Sequence, residues 1–273
     1  MNKCNLCESD NLDRLYTVNG FRTDKKFDVY KCATCSLVSA SVTQADIEGA
    51  YEADYYETAY PGYVSDKAFH DRNNNAILKD IEKHFPKGNI LEVGSAFGFF
   101  LEQAKKRGWD VTGYECSEYA SKAAQQIYKV NVKSEDFLQS DLGRDYTMFT
   151  MLDTIEHLLD PLSMLKKGAQ VLKPGGGAYV CTGSFDSLHA RLTGKRWRMM
   201  VPPLHIYFFT PKTLGDMMEK AGFSIVSCRY HGKYYNFGSI VQFLTGISKE
   251  KLPKIPLYIN TFDVITMKGR YDG

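Results

Sequence analysis

The 273 residues contain no run of 18 or more apolar side chains, so no membrane-spanning helix is predicted. The opening stretch, MNKCNLCESDNLDRL, lacks the apolar segment of a secretory signal, and a cytoplasmic protein is the expectation. Net charge is nearly absent: 34 Lys and Arg against 32 Asp and Glu leave +2, too little to mark a nucleic-acid binder. Internal repeats and low-complexity tracts are missing too, which argues against solenoids and disordered chains. What remains is a chain with 44% hydrophobic and 24% charged residues, enough for a sizeable core.

Cysteine is sparse, seven in all, and in a reducing compartment these are thiols or metal ligands rather than disulfides. Four of them are patterned. Cys4-x-x-Cys7 and Cys32-x-x-Cys35 are two pairs 24 residues apart. Each pair suits a tight turn, and four thiolates can surround one Zn²⁺ tetrahedrally. Four protein ligands leave no open position, so a structural zinc is expected, with the intervening residues forming a hairpin. Cys116, Cys181 and Cys228 have no matching spacing and read as small buried hydrophobes.

Three segments follow from the pattern: a zinc-binding unit over 1–40, a helical lid or linker over 41–85, and a larger domain over 86–273. From Asn89 onward short apolar strands alternate with helical stretches. NILEV, WDVTGYE, VNV, YTMFTMLDTI, GAYVCTG, FSIVSCRY and TFDVITMKG read as strands. Helices are expected over Phe97–Arg107, Glu118–Tyr128, Pro161–Leu172 and Thr210–Ala221, with Pro at the first turn of the last two. Such alternation predicts an α/β fold with a doubly wound, mainly parallel sheet. A looser helix is expected over Ser239–Thr245.

The first strand runs into Gly94-Ser95-Ala96-Phe97-Gly98. A dinucleotide fingerprint needs glycine at 94, 96 and 99, and here Ala96 and Phe99 break it, which disfavours NAD or FAD. The stretch LEVGSAFGFF instead resembles the first motif of class I S-adenosylmethionine-dependent methyltransferases, an acid followed by spaced glycines. Glu92, Gly94 and Gly98 match it, and Ala96 stands for the middle glycine. The resemblance covers roughly residues 70–230 and implies a seven-stranded Rossmann-like sheet with S-adenosyl-L-methionine at its carboxyl edge. It implies that Glu115, ending the second strand, accepts from the ribose hydroxyls. Asp136 and Phe137 of SEDF would lie at the adenine, and Asp153 of LDTIEHL near the amine and sulfonium. Tyr56, or Tyr55 beside it, would close over the cofactor. The LKPGG before the fifth strand agrees with the family.

Methyl transfer needs an aligned acceptor and, for an alcohol, an amine or an acidic carbon, a base. His157 and His205 are the candidate bases, and Tyr207 could orient or share the role. Arg191, Lys195, Arg196 and Arg198 could receive a phosphate, with Trp197 stacking on a ring. The layout of a cysteine quartet before this core resembles bacterial methyltransferases of sugars and natural products. A small-molecule acceptor, a phosphate-bearing one among the candidates, is therefore expected, with O-methylation first and an activated carbon second. The alternatives are an RNA or protein methyltransferase that grips its target with the zinc unit, and a non-catalytic cofactor-binding subunit.

Overall fold

The computed structural model describes residues 3–47, 63–246 and 252–273. The N-terminal segment forms β1 (Leu12–Asn19), β2 (Lys26–Cys32), β3 (Val38–Ala40) and the single turn α1 (Gln44–Ile47). Then come α2 (Lys67–Ile81), β4 (Asn89–Val93), α3 (Phe99–Lys106), β5 (Asp110–Tyr114), α4 (Glu118–Ile127), β6 (Val132–Lys133) and β7 (Tyr146–Leu152). The second half carries α5 (Pro161–Val171), β8 (Leu172–Gly183), α6 (Leu188–Thr193), β9 (Tyr207–Phe208), α7 (Pro211–Lys220) and β10 (Phe223–Tyr230). It closes with β11 (Lys233–Asn236), α8 (Phe237–Thr245), β12 (Pro256–Ile259) and β13 (Val264–Tyr271).

Seven strands make the central sheet in the order β10-β13-β8-β7-β4-β5-β6. β4 is parallel to both β5 and β7, β5 to β6, and β7 to β8, whereas β13 runs antiparallel between β8 and β10. The chain order reverses at β4, and there the sheet opens a crevice beyond its carboxyl ends. The strands read as mostly apolar runs because both faces are buried. Along β4, Ile90 packs into one core with Leu78, Ile81 and Phe100. Its neighbours Leu91 and Val93 face the other core with Phe149, Val180 and Leu214.

Local signals place most ends as expected. Asp160 accepts from the Ser163 amide at 3.0 Å and Pro161 opens α5. Thr210 and Thr213 form a reciprocal cap on α7, with Pro211 at its first turn. α3 begins at Phe99 rather than Phe97, because Gly98 still holds φ 73° in the preceding turn.

Two features go beyond the sequence reading. β11 and β12, with α8 between them, pair antiparallel as a two-stranded sheet of their own between β10 and β13 in the chain. The N-terminal hairpin also does not stand apart. β3 pairs with β9, Val38 opposite Phe208 and Ser39 opposite Tyr207, so a four-stranded sheet joins residues 1–40 to the segment after β8.

Candidate active site

A cavity of about 1260 Å³ opens at the carboxyl ends of β4, β5 and β7. The first turn beyond β4 is shaped by backbone. Gly94 sits at φ 75°, and a Cβ there would lie 2.4 Å from Thr154 Oγ1, so glycine is required. Ala96 adopts φ 46°, a left-handed conformation that costs a residue with a Cβ about 1–2 kcal/mol. Its amide donates at 2.8 Å to Glu115 Oε2, and the Ser117 amide donates at 2.9 Å to Oε1. Two amides thus orient the Glu115 carboxylate at the end of β5. Glu92, on β4, is 3% exposed, and its Oε2 is buried without a hydrogen-bond partner among the described residues. Burial first, and then the nearby Glu115 charge, raise the Glu92 carboxyl well above its usual range. A ligand carrying hydroxyl and ammonium donors fits these two carboxyl groups.

Asp136 lines the cavity and caps the turn Phe137–Gln139, accepting from the Leu138 amide at 2.9 Å. Phe137 lies beside it, edge-on to Tyr114 at 5.1 Å. Tyr56, with Tyr51, Tyr55 and Tyr60, lies outside the described residues. Tyr63, of the same run, stacks on Phe99 at 5.3 Å and lines the cavity.

The far half of the cavity holds a different set. Asp153, at φ 53°, takes the Lys233 ammonium of β11 as its ion-pair partner. Burial opposes the charge on both, and the pair outweighs it, lowering the Asp153 carboxyl and raising the Lys233 ammonium. Beside them His157 and His205 stand edge to face, ring centroids 4.7 Å apart at 90°. The Nδ1 of His157 meets the Leu204 carbonyl at 2.8 Å, and that of His205 the Met199 carbonyl at 2.8 Å. A carbonyl only accepts, so each Nδ1 carries the proton and each Nε2 is the basic atom. Burial pushes the His157 imidazole down to about 4. Burial and the adjacent His157 push His205 to about 3, so both are neutral at physiological pH.

Glu156 completes the group. It is 3% exposed, and its Oε2 has no partner among the described residues. Burial, with the charge of Asp153, raises its carboxyl to about 8. Ligand atoms of Glu156, His157 and His205 lie within 4.8 Å of one another. The amides and carbonyls of this loop are tied to the next segment, since the Ile206 amide donates to the Glu156 carbonyl at 2.7 Å.

Several expectations change here. Tyr207 is 2% exposed and donates its hydroxyl to the Leu159 carbonyl at 3.1 Å, so it does not reach the cavity as a base. Trp197 is likewise 2% exposed, with its indole N–H directed at Asp263, and offers no stacking face. Arg198 is held by the Asp263 carboxylate at 2.9 and 3.0 Å, which removes it from a free phosphate-binding cluster. Glu156 and Lys233 were not selected from the sequence. Glu156 adjoins His157 in TIEH, a usable signal. Lys233 has none, because strand β11, 80 residues away from Asp153, delivers it.

At the N-terminus, Cys4 and Cys35 sulfurs lie 3.4 Å apart and Cys7 and Cys32 sulfurs 3.5 Å. All four lie within 4.8 Å of one another and none is in a disulfide. The edge of a tetrahedron with Zn–S bonds of about 2.3 Å is roughly 3.8 Å, so the set fits one zinc. Burial raises the Cys32 thiol, but the Cys35 and Thr34 amides outweigh it and bring it down to about 7.

A seven-stranded sheet with one antiparallel strand, a glycine turn after its central strand and acids at successive strand ends define a class I S-adenosylmethionine-dependent methyltransferase. Residues 67–228 match the family described as a methyltransferase domain, and the chain belongs to that family. The ubiquinone biosynthesis O-methyltransferase of Coxiella burnetii (strain RSA 331 / Henzerling II) is 30% identical over 176 residues, 58% of this chain and 75% of that protein. Its namesake from Nitrosospira multiformis is 28% identical over 150 residues, 50% of this chain and 63% of that one. A solved S-adenosylmethionine-dependent methyltransferase of Thermotoga maritima, a possible histamine N-methyltransferase, superposes with TM-score 0.56 at 21% identity. That match covers 79% of this chain and 96% of the other. Magnesium protoporphyrin IX methyltransferase from Synechocystis PCC 6803, solved with bound S-adenosylhomocysteine, superposes with TM-score 0.54 at 14% identity, covering 80% and 97%. No described helix is long and apolar enough to cross a membrane.

Proposed function

We propose that this methyltransferase acts on a hydroxyl oxygen of a small polar acceptor, a sugar or natural-product ring. In this reading Glu92, Gly94, Ala96, Gly98, Glu115, Asp136 and Phe137 hold the nucleoside and amino-acid ends of S-adenosylmethionine. Asp153 lies toward its charged end. The cofactor, when bound, supplies a methyl group activated by a positively charged sulfur. The observation that carries the acceptor assignment is the His157–His205–Glu156 group in the half of the cavity beyond Asp153. Its residues move the acceptor proton: His205 Nε2 receives it, and Glu156, giving its own proton to solvent through the cavity, stands as a carboxylate beside the positive imidazole. The relatives named as O-methyltransferases support oxygen as the target.

Incubation with methyl-labelled S-adenosylmethionine and a panel of catechol, 3,4-dihydroxybenzoate and UDP-glucose tests this. Label is expected on at least one hydroxyl. His205→Ala should lower turnover by about 10²–10⁴-fold while S-adenosylhomocysteine affinity stays nearly constant. Loss in His157→Ala with full turnover in His205→Ala moves the base to His157. Label in RNA or protein, and on none of the small acceptors, overturns the acceptor class.

A second reading rests on the same trio. Two imidazoles anchored on backbone carbonyls and one carboxylate form a ligand set for a divalent cation, with His205 as ligand instead of base. A chelator, used at a level that leaves the four-cysteine site loaded, separates the two. Metal assistance requires loss of turnover and its restoration by added divalent cation, whereas a histidine base requires no change.

A further inference from the structure

The cysteine unit is the one sequence feature that the cofactor site does not use, yet it reaches the acceptor half of the cavity. Its hairpin ends in a closed tip, where the Gly20 amide donates to the Lys25 carbonyl at 2.8 Å. A Cβ on Gly20 would lie 2.4 Å from Thr23 and 2.7 Å from the Phe27 ring, so the tip has one shape. Within it Arg22 takes φ 57°, and its guanidinium lies 5.1 Å from the centre of the Phe21 ring. The Phe21 amide donates to the Pro202 carbonyl at 2.6 Å, three residues before His205. Phe21 lines the cavity, as does Ile47 just after the unit.

A second tie runs through strand β3. Beyond its pairing with β9, the Ala40 amide donates to the Ile206 carbonyl at 2.8 Å, and the Ile206 amide donates to the Glu156 carbonyl. A backbone ladder therefore leads from the cysteine unit past His205 to Glu156. The cavity, at about 1260 Å³, exceeds the roughly 300–1,000 Å³ that enclose one small ligand, so an acceptor has room beside the cofactor. The tip docks through Phe21, whose amide is bonded to Pro202, while residues 22–26 stay exposed.

We propose that the cysteine unit is the acceptor-side wall of the active site, with Phe21 as the surface on which the planar or apolar face of a ring-bearing acceptor rests. The assignment rests on the reading above that the acceptor is a small hydroxyl compound. Phe21→Ala keeps every backbone bond of the tip and removes only the ring. With whichever of catechol, 3,4-dihydroxybenzoate or UDP-glucose the wild type methylates, Phe21→Ala should raise KM about tenfold. Phe21→Tyr should restore most of it, and S-adenosylhomocysteine affinity should stay within about twofold in both. An unchanged KM in Phe21→Ala overturns the role of Phe21.

A wild type that methylates none of the three leaves the acceptor reading in failure, and the wall is then decided by amide hydrogen exchange on S-adenosylhomocysteine-bound protein. Stripping the four-cysteine site, by chelation or by Cys32→Ser, should speed exchange across residues 199–208 while residues 89–115 stay protected. Faster exchange confined to residues 3–40 overturns the wall.

Discussion

At the residue scale the distinctive group is Glu156. Burial, with the nearby Asp153 charge, makes this carboxyl hold a proton in the folded state that the unfolded chain releases. Its folded value is about 8 against an ordinary 4.5, so it is protonated when folded and ionised when unfolded between those limits. Stability is therefore full below about pH 4.5 and is lost as pH rises toward about 8, with a slope of at most about 1.4 kcal/mol per pH unit. Glu156→Gln removes this slope. Its melting temperature should exceed that of the wild type by a margin that grows from pH 5 to pH 8, read by calorimetric scans across that range. A constant margin would mean that Glu156 is already ionised beside a cation. The same substitution should lower turnover, because the neutral amide cannot ionise beside a protonated imidazole.

At the scale of elements, the cysteine quartet and the glycine turn were legible because chemistry fixes their spacing: two thiolate pairs on turns, and a turn in which Gly94 and Gly98 take positive φ. The strands of the central sheet were legible because two-sided burial writes short, mostly apolar runs such as NILEV and YTMFTML. β3, β9 and β11 were not legible, since two to four residues carry no period and their partners lie far off in sequence. For the same reason Lys233 and Phe21 could not be placed at the site, and Tyr207 could not be seen to turn toward Leu159. Zinc in the quartet should tie these distant pieces together. Elemental analysis should find about one zinc per chain, and Cys32→Ser should lower the melting temperature. A metal-free protein with an unchanged melting temperature would remove zinc from the account.

At the scale of the whole molecule, one crevice at the point where the sheet reverses collects groups from every part of the chain. β4 and β5 bring Glu92 and Glu115, the loop after β7 brings Asp153 through His157, the segment after β8 brings His205, and strand β11 brings Lys233. The two halves differ in kind. Near β5 a carboxylate is oriented by two amides, and beyond β7 two neutral imidazoles stand beside a buried acid whose Oε2 has no partner among the described residues. This division is what a reaction between a bound cofactor and a separate acceptor requires. The central claim, a cofactor held at the β4–β5 end by Glu115, is tested most directly by calorimetric titration of S-adenosylhomocysteine into the wild type and Glu115→Ala. The account requires binding at one site per chain in the wild type, weakened at least tenfold in the variant, because charge-assisted hydrogen bonds are worth about 1.5–3 kcal/mol each. Equal affinity in the two proteins, or no binding to the wild type, would contradict it.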